Sequence, residues 1–390
     1  MADAGQTQGK MPQRLGTMAA LLASSFAFGL GFGGFAPLVA LTLESRGIDA
    51  VIIGANSSMS PIGVILASAL TPSLVRKFGT ITVFYMGVGL SFLAMLAMPL
   101  VDNLAVWFGL RLLIGMGIAG PWVISETWIN QASTVATRAR IMAIYTSVLA
   151  AGFAVGPLLL ATVGIGTTIG FVLCAILFGT GALPIWWVRH HAPALDQAHK
   201  TPMLGILARA PTILGAAFVA GLMDAAIFSF LPIYGLRIGL AEQSAIALLS
   251  LFLIGNLLFQ LPIGWLADKL NRRTVLAVCA GISAVGPIVV ALVADNLLMA
   301  ALPLLIWGGT AWSLYSIALA MLGDRFQGTA LATGNAAFVI AFEIANVIGP
   351  PMAGGALELW PPHGLIAFMS AAGGVYFVIV VARGLVRRRR

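Results

Sequence analysis

Charged residues are scarce in this chain. Asp, Glu, Lys and Arg make up 9% of its 390 residues, whereas hydrophobic residues make up 60%. Soluble domains carry roughly a quarter of charged residues, so the composition excludes a soluble globular protein and predicts one embedded in a lipid bilayer. The net charge of +8 does not indicate nucleic-acid binding, because the cations lie at the edges of apolar runs without an aromatic-basic stripe.

Catalytic and cofactor motifs are also missing. The sequence contains no HExxH, GxSxG or P-loop pattern, so no evident catalytic set is present and direct ATP hydrolysis is disfavoured. Cys174 and Cys279 fall inside apolar runs and are interpreted as small buried hydrophobic residues. Three histidines lie in one polar stretch without paired carboxylates, which is a weak metal signature. We expect no enzyme activity, no metal and no cofactor.

Apolar residues form about twelve runs, each able to cross ~30 Å of hydrocarbon as a helix of about 20 residues. The predicted spans lie near 15–43, 50–72, 80–101, 104–128, 141–163, 167–188, 212–236, 244–266, 274–294, 297–321, 329–354 and 363–382. With the N-terminus inside, the Lys and Arg residues sort to the cytoplasmic loops, except for Arg46, Arg237 and the intramembrane Arg111. We predict an all-α polytopic protein of the inner (plasma) membrane, with both termini cytoplasmic.

The second half of the chain repeats the first. Three segments recur 192 positions later: Gly29-Leu30 as Gly221-Leu222, Ile62-Gly63 as Ile254-Gly255, and Leu112-Leu113-Ile114 as Leu304-Leu305-Ile306. Two more recur after 193 positions: Asp102-Asn103-Leu104 as Asp295-Asn296-Leu297, and Gly156-Pro157 as Gly349-Pro350. Such a parallel duplication indicates a transporter with two pseudo-symmetric six-helix halves. We place them at 1–188 and 212–390, joined by a cytoplasmic linker at 189–211.

Three acidic residues, Glu126, Asp224 and Glu343, fall within the predicted spans. A charge near the bilayer centre costs at least ~2.5 kcal/mol, so such a residue usually faces a cavity or a partner. Asp224 and Glu343 lie at mid-span, where transporters of this architecture bind substrate, and could bind and release a proton as the cavity opens to alternate sides. The alternative is a protonated carboxyl that ties neighbouring helices together.

Amide side chains accompany these acids. Asn335 and Asn346 share one broad helical face with Glu343, and Asn256 and Gln260 form an i,i+4 pair in the eighth span. These amides could hydrogen-bond a polar substrate or simply join helices.

The fourth span carries Arg111, Trp122 and Glu126. Arg111 and Trp122 point in nearly the same direction, whereas Glu126 lies about 22 Å from Arg111 along the helix axis. Arg111 therefore needs a partner from another helix or a water-filled cavity. Glu126 is a candidate gating residue that could pair with Arg138 or Arg140.

Aromatic residues share faces with these positions and could line the same cavity. They are Phe28, Phe32 and Phe35 in the first span, Phe228 beside Asp224 in the seventh, and Trp312, Tyr315 and Ser316 in the tenth. Helix packing is the alternative interpretation.

With these residues in place, the chain resembles the major facilitator superfamily over essentially its full length. Residues 264–273, with the sequence GWLADKLNRR, are similar to the superfamily's loop signature between helices 8 and 9. The resemblance implies that Asp268 latches the cytoplasmic side by meeting helix ends and basic residues such as Arg272. In the first half Arg76 stands where the family has an Asp, which reverses the charge of that latch.

Further motifs narrow the resemblance. Arg111 followed by Gly115 and Gly117 resembles the helix 4 signature of proton-coupled members, and residues 152–157 resemble the helix 5 glycine-proline motif of exporters. Trp122 with Glu126, the pair Leu314-Tyr315, and the stretch 335–350 look like the YcaD-like branch of the superfamily.

The leading hypothesis is a secondary active transporter that works by alternating access and exports a small organic molecule or drug in exchange for protons. Asp224, Glu343 and Arg111 are its expected coupling or substrate residues. One alternative is a proton-coupled importer or facilitator of a small metabolite, and a third hypothesis is a lipid translocator. We expect a monomer whose partners are the substrate, protons and the bilayer, with no nucleic acid.

Overall fold

The computed structural model describes residues 11–133, 137–165, 167–192 and 210–388. Within these ranges, twelve helices are long and apolar enough to cross a membrane. The predicted all-α fold with twelve spans is therefore confirmed. Most of the predicted linker at 189–211 lies outside the described residues, as does the side chain of Arg138.

The helices of the first half are α1 Met11–Ser45, α2 Ala50–Phe78, α3 Thr80–Ala97, α4 Leu104–Ala132, α5 Arg138–Val163 and α6 Thr168–Thr180. A turn and a short helix, Leu183–Val188, continue the sixth span. Those of the second half are α7 Pro211–Arg237, α8 Glu242–Lys269, α9 Arg272–Val293, α10 Leu297–Arg325, α11 Gly328–Leu359 and α12 Gly364–Arg388.

Several helices are longer than the apolar runs that predicted them. The run ending near residue 72 belongs to a helix that continues to Phe78 and carries Arg76 and Lys77 in its last turn. A helix satisfies its own backbone hydrogen bonds in hydrocarbon and in water alike, so it can continue past the apolar run. Gly79, with a φ of 84°, then separates α2 from α3.

The sequence repeat reappears as repeated local structure. Asn103 caps α4 by accepting a hydrogen bond from the backbone N–H of Ala105 at 2.9 Å. Asn296 caps α10 in the same way through the N–H of Leu298 at 3.0 Å. Because an Asn cap satisfies backbone donors that a helix start leaves free, this part of the duplication preserves two equivalent helix starts.

Glycine contacts between helices are also repeated. A Cβ on Gly29 of α1 would collide with the backbone of Leu149 in α5, and one on Gly221 of α7 would collide with the backbone of Phe342 in α11. A second pair of equivalent contacts lies where α2 crosses α4 and where α8 crosses α10. A Cβ on Gly63 would collide with the backbone of Leu112, and one on Gly255 with the backbone of Leu305. Close packing at small residues is a main source of helix association in a bilayer.

The halves meet mainly through α2 with α11 and α5 with α8, and α1 also meets α7. In the described chain, neither α4 nor α10 packs along a helix of the other half. Because the number of spans is even, α1 begins and α12 ends on the same side of the helix bundle. We call this side the terminal end. The other end is called the opposite end.

We predict that Gly115→Leu destabilises the fold. The new side chain would meet the backbone of Ser60 across the α2–α4 crossing, and overpacking of this kind costs about 1–3 kcal/mol of unfolding free energy. The unfolding temperature of the purified protein in detergent should fall. Gly109→Leu on the same helix is the control, because a Cβ there meets nothing within 4 Å. Equal unfolding temperatures for the two variants would contradict the prediction.

Candidate functional site

Two carboxylates come together in the second half. Asp224 lies in the middle of α7 and Glu343 in the middle of α11, and these helices pack along each other. The two groups are within electrostatic reach of each other. Oδ1 of Asp224 is buried, and no described residue donates a hydrogen bond to it. Neither carboxylate belongs to an ion pair in the described ranges.

A small cavity lies beside Asp224. Its walls are formed by the second half alone: Ala220, Met223, Asp224, Ile227, Phe252, Ala311, Trp312 and Phe342. The volume is about 10 Å³, close to the ~10–15 Å³ that one water molecule needs. The cavity can therefore accommodate water-mediated proton exchange at Asp224 but not an organic molecule.

The predicted amide residues occupy different environments. The side chain of Asn346 lies beside that of Glu343, one turn away on the same helix, and its Oδ1 has no donor among the described residues. Gln260 donates to the hydroxyl of Ser316 at 3.3 Å and so joins α8 to α10. Asn256 is 4% exposed, and its Oδ1 has no donor among the described residues, whereas Asn335, near the start of α11, is exposed.

Arg111 is buried in the first half, and no carboxylate of the described residues pairs with it. Its side chain is 2% exposed, and its guanidinium lies 5.6 Å from the centre of the Phe35 ring. No described residue accepts a hydrogen bond from its Nε or Nη1. Trp122, predicted to lie on the same stripe of the helix, is 41% exposed, so the two side chains do not share one environment.

Glu126 lies where residues of both halves approach. Trp122 donates a hydrogen bond from Nε1 to Oε1 of Glu126 at 2.9 Å. The carboxylate is within electrostatic reach of Tyr145 in α5 and of Tyr315 in α10. In the described chain it forms no ion pair with Arg140.

Of the aromatic residues predicted to line a cavity, Phe28 packs on Phe84 and Phe178 and Phe35 packs on Phe171, all within the first half. The others include two groups of rings. Phe32 contacts Phe153 with ring centres 6.3 Å apart, and Phe153 contacts Phe228 of the other half at 5.8 Å. Tyr315 packs between Phe338 and Phe342, with ring centres 4.8 and 5.0 Å away. The first group thus bridges the halves at the positions predicted for a cavity lining.

At the terminal end, the predicted latch residues of the second half form a small network. Arg272 pairs with Asp268 at 2.8 Å and with Asp324 of α10 at 2.8 Å. This network lies within one half. In the first half Arg76 donates to the hydroxyl of Ser73 in its own helix at 2.9 Å.

At the opposite end, a cluster that sequence reasoning missed joins the halves. Arg237, the last residue of α7, pairs with Glu44 of α1 at 2.7 Å and with Glu358 of α11 at 2.8 Å. Glu358 also accepts from the backbone N–H of Ala50 at 3.2 Å. The only sequence signal was that Arg237 departs from the charge sorting of the other cations.

Three further hydrogen bonds join the halves on this side. Ser229 donates to Ser57 at 2.9 Å and Ser58 to the carbonyl of Val347 at 2.6 Å. The backbone N–H of Ile165 donates to Glu242 at 2.5 Å. We call these bonds and the Arg237 cluster the opposite-end contacts.

Comparisons with known proteins agree with this architecture. The model of the Major Facilitator Superfamily matches residues 21–250 and 213–390. An uncharacterized MFS-type transporter, YfkF of Bacillus subtilis (strain 168), is 24% identical over 91% of this chain and 92% of its own length. The uncharacterized MFS-type transporter YcaD of Escherichia fergusonii is 23% identical over 88% and 90% of the two chains.

A crystal structure of the nucleoside transporter NupG superposes with a TM-score of 0.78, at 15% identity, over 95% of this chain and 99% of that one. At this identity the likeness concerns the fold alone. Together with the family match over most of the sequence, it identifies the chain as a multi-pass membrane transporter rather than an enzyme, and as a member of the major facilitator superfamily.

Proposed function

We propose that the protein is a proton-coupled secondary transporter that exports a small organic molecule across the inner membrane by alternating access. The observation that carries this proposal is the pair Asp224 and Glu343, two carboxylates at mid-span with no cation partner in the described chain. An unpaired charged carboxylate in apolar surroundings is costly. Proton uptake removes that cost, so the cycle can use these groups as proton carriers.

The arrangement of contacts supports alternating access. The opposite-end contacts hold the halves together on one side, while among the described residues α4 and α10 pack along helices of their own halves alone. Rocking one half against the other would break the opposite-end contacts and bring α4 and α10 together. We therefore assign the opposite-end contacts as the gate that is closed in this conformation.

Charge distribution supports the proposed orientation. Most Lys and Arg residues belong to loops or helix ends on the terminal side, which the positive-inside rule assigns to the cytoplasm. Two exceptions, Arg46 and Arg237, lie at the opposite end, where Arg46 pairs with Asp102 at 3.4 Å and Arg237 with Glu44 and Glu358. In this orientation the closed gate faces outward and the Glu126 region faces the cytoplasm.

The export direction rests on the resemblance of residues 152–157 to the glycine-proline motif of exporters. Gly152 and Gly156, from the exporter-like motif, contact the backbone of α1 at Phe26 and Leu30. An importer of a metabolite would run the same cycle in reverse, so imposed gradients of each sign distinguish the two directions.

We predict that the Asp224→Asn, Glu343→Gln double variant loses proton coupling, because neither amide can bind and release a proton. The assay uses liposomes with an imposed pH gradient and a compound selected by a thermal-shift screen. Proton-driven accumulation should fall to the level of protein-free liposomes, while exchange of labelled for unlabelled compound without a gradient should persist. Asp102→Asn, whose side chain is 98% exposed, is the control. Full coupling in the double variant would refute the proposal.

We predict that cross-linking the gate stops transport. In a background without Cys174 and Cys279, the Ser57→Cys, Ser229→Cys pair replaces two hydroxyl oxygens 2.9 Å apart, close enough for a disulfide after small adjustment. Oxidation should abolish transport, and a reducing agent should restore it. Each single variant under the same oxidation is the control. Undiminished transport by the cross-linked protein would show that these positions need not separate.

We predict opposite effects of Arg111→Met on stability and activity. Removing a buried cation that lacks a carboxylate partner should raise the unfolding free energy by about 1 kcal/mol or more, seen as a higher unfolding temperature. Transport should be lost if the guanidinium takes part in the cycle. Arg111→Lys retains the charge and should show no gain in stability. A lower unfolding temperature for Arg111→Met would indicate that the cation is well satisfied.

A further inference from the structure

We propose that the space between α4 and α10 binds an organic cation, recognised by the carboxylate of Glu126 and the ring of Trp122. This inference rests on the proposed transport cycle and names the chemical class of its substrate: a molecule that carries a positive charge on an apolar or aromatic framework.

The first support is the geometry of the pair on α4. The indole N–H of Trp122 is held by Glu126 at 2.9 Å, which restrains the ring, yet the side chain remains 41% exposed. An indole ring that is oriented but not covered offers its face to a ligand. Indole is also the most favourable aromatic surface for a cation, with a gain of about 0.5–2 kcal/mol.

The second support is that the site draws on both halves. Tyr145 of α5 and Tyr315 of α10 both lie within electrostatic reach of Glu126. Tyr315 is also within reach of Glu343 and is restrained by Phe338 and Phe342. The tyrosine is thus near enough to a carboxylate of the first half and to one of the second to interact with both.

The third support is the charge balance. Glu126, Asp224 and Glu343 have no ion-pair partner in the described ranges. Arg111 does not offset them, because it is 2% exposed and lies against Phe35. A positively charged ligand would supply a counter-charge to whichever of these carboxyls is ionised, whereas an anion would find no cation to pair with among them.

The fourth support is the state of the polar atoms nearby. Asn346 is 6% exposed and lies beside Glu343, and its Oδ1 has no donor among the described residues. Oδ1 of Asp224 is likewise unpaired. Both orphan atoms are acceptors. Gln260, which could recognise a hydroxyl-rich ligand, is already bound to Ser316, so the available chemistry favours a positive ligand over a sugar-like one.

The volume of the cavity at Asp224 indicates that the cation and the proton bind at different positions. The cavity at Asp224 has a volume of about 10 Å³, too small for any organic cation. We therefore place the ligand on the Glu126 side and the proton at Asp224. Trp122 and Glu126 act here as binding residues, and Asp224 as the proton carrier.

The test uses two ions of the same shape and opposite charge, tetraphenylphosphonium and tetraphenylborate. With the full-length protein in detergent, tetraphenylphosphonium should raise the unfolding temperature and quench tryptophan fluorescence in a saturable way, and tetraphenylborate should do neither. Glu126→Gln should weaken phosphonium binding at least about tenfold, as expected for the loss of one partly desolvated charge contact. Trp122→Ala should weaken it similarly, and Trp122→Phe should restore part of the affinity.

Asp295→Asn, an exposed acid between α9 and α10, is the matched control and should bind like the parent protein. Each variant is first required to elute as a single species with the parent's unfolding temperature without ligand. Equal binding of the two ions would overturn the inference. So would a phosphonium affinity that is unchanged in Glu126→Gln and in the two Trp122 variants, Trp122→Ala and Trp122→Phe.

The binding assay needs no gradient, so its outcome is independent of transport. Selective phosphonium binding without proton-driven flux would support the cation site and refute the proton-coupled cycle. Proton-driven flux of a neutral or anionic compound without phosphonium binding would support the cycle and refute the cation site.

Discussion

The cost of an unpaired charge in hydrocarbon is the constraint on which the rest of this molecule depends. At the terminal end Arg272 pairs with two aspartates, and at the opposite end Arg237 pairs with two glutamates. Between these ends, Arg111 and the carboxylates of Asp224 and Glu343 have no ion-pair partner in the described chain. Because a fold gains nothing from such residues unless something else compensates them, they mark where a ligand or a proton enters the energetics.

The duplication separates scaffold from chemistry. Asn103 and Asn296 start equivalent helices, and Gly29 and Gly221 allow equivalent close crossings. These contacts depend on backbone geometry, so both copies need the same small or capping residue. Charged positions differ between the copies: Asp224 stands opposite Phe32, and Glu343 stands opposite Ala150. Because the helix packing is similar in the two halves but the charges differ, the second half can carry the proton while both halves move in the transport cycle.

The sequence predicted the spans well because bilayer thickness fixes the length of each apolar run, and it located Asp224 and Glu343 at mid-span for the same reason. The spacing of Trp122 and Glu126 allowed their contact, but their approach to Tyr315 depends on the packing of distant helices. The opposite-end contacts of Arg237 join α1, α7 and α11 across 193 and 121 positions of sequence. No local pattern specifies such a cluster. The burial of Arg111 could not be predicted from the sequence either, because the residue types around a position do not show whether it faces a cavity or a packed core.

The proposed positions of the two ligands explain how one could drive the other. A proton at Asp224 and a cation at Glu126 are both positive, and Glu343 is within electrostatic reach of Asp224 and of Tyr315. Protonation of Asp224 and binding of a cation at Glu126 each add one positive charge to the same region, so each event disfavours the other. Each ligand would then weaken the other, and by linkage the effect is reciprocal. Mutual exclusion of this kind makes proton entry favour cation release, which is the coupling that export against a gradient requires.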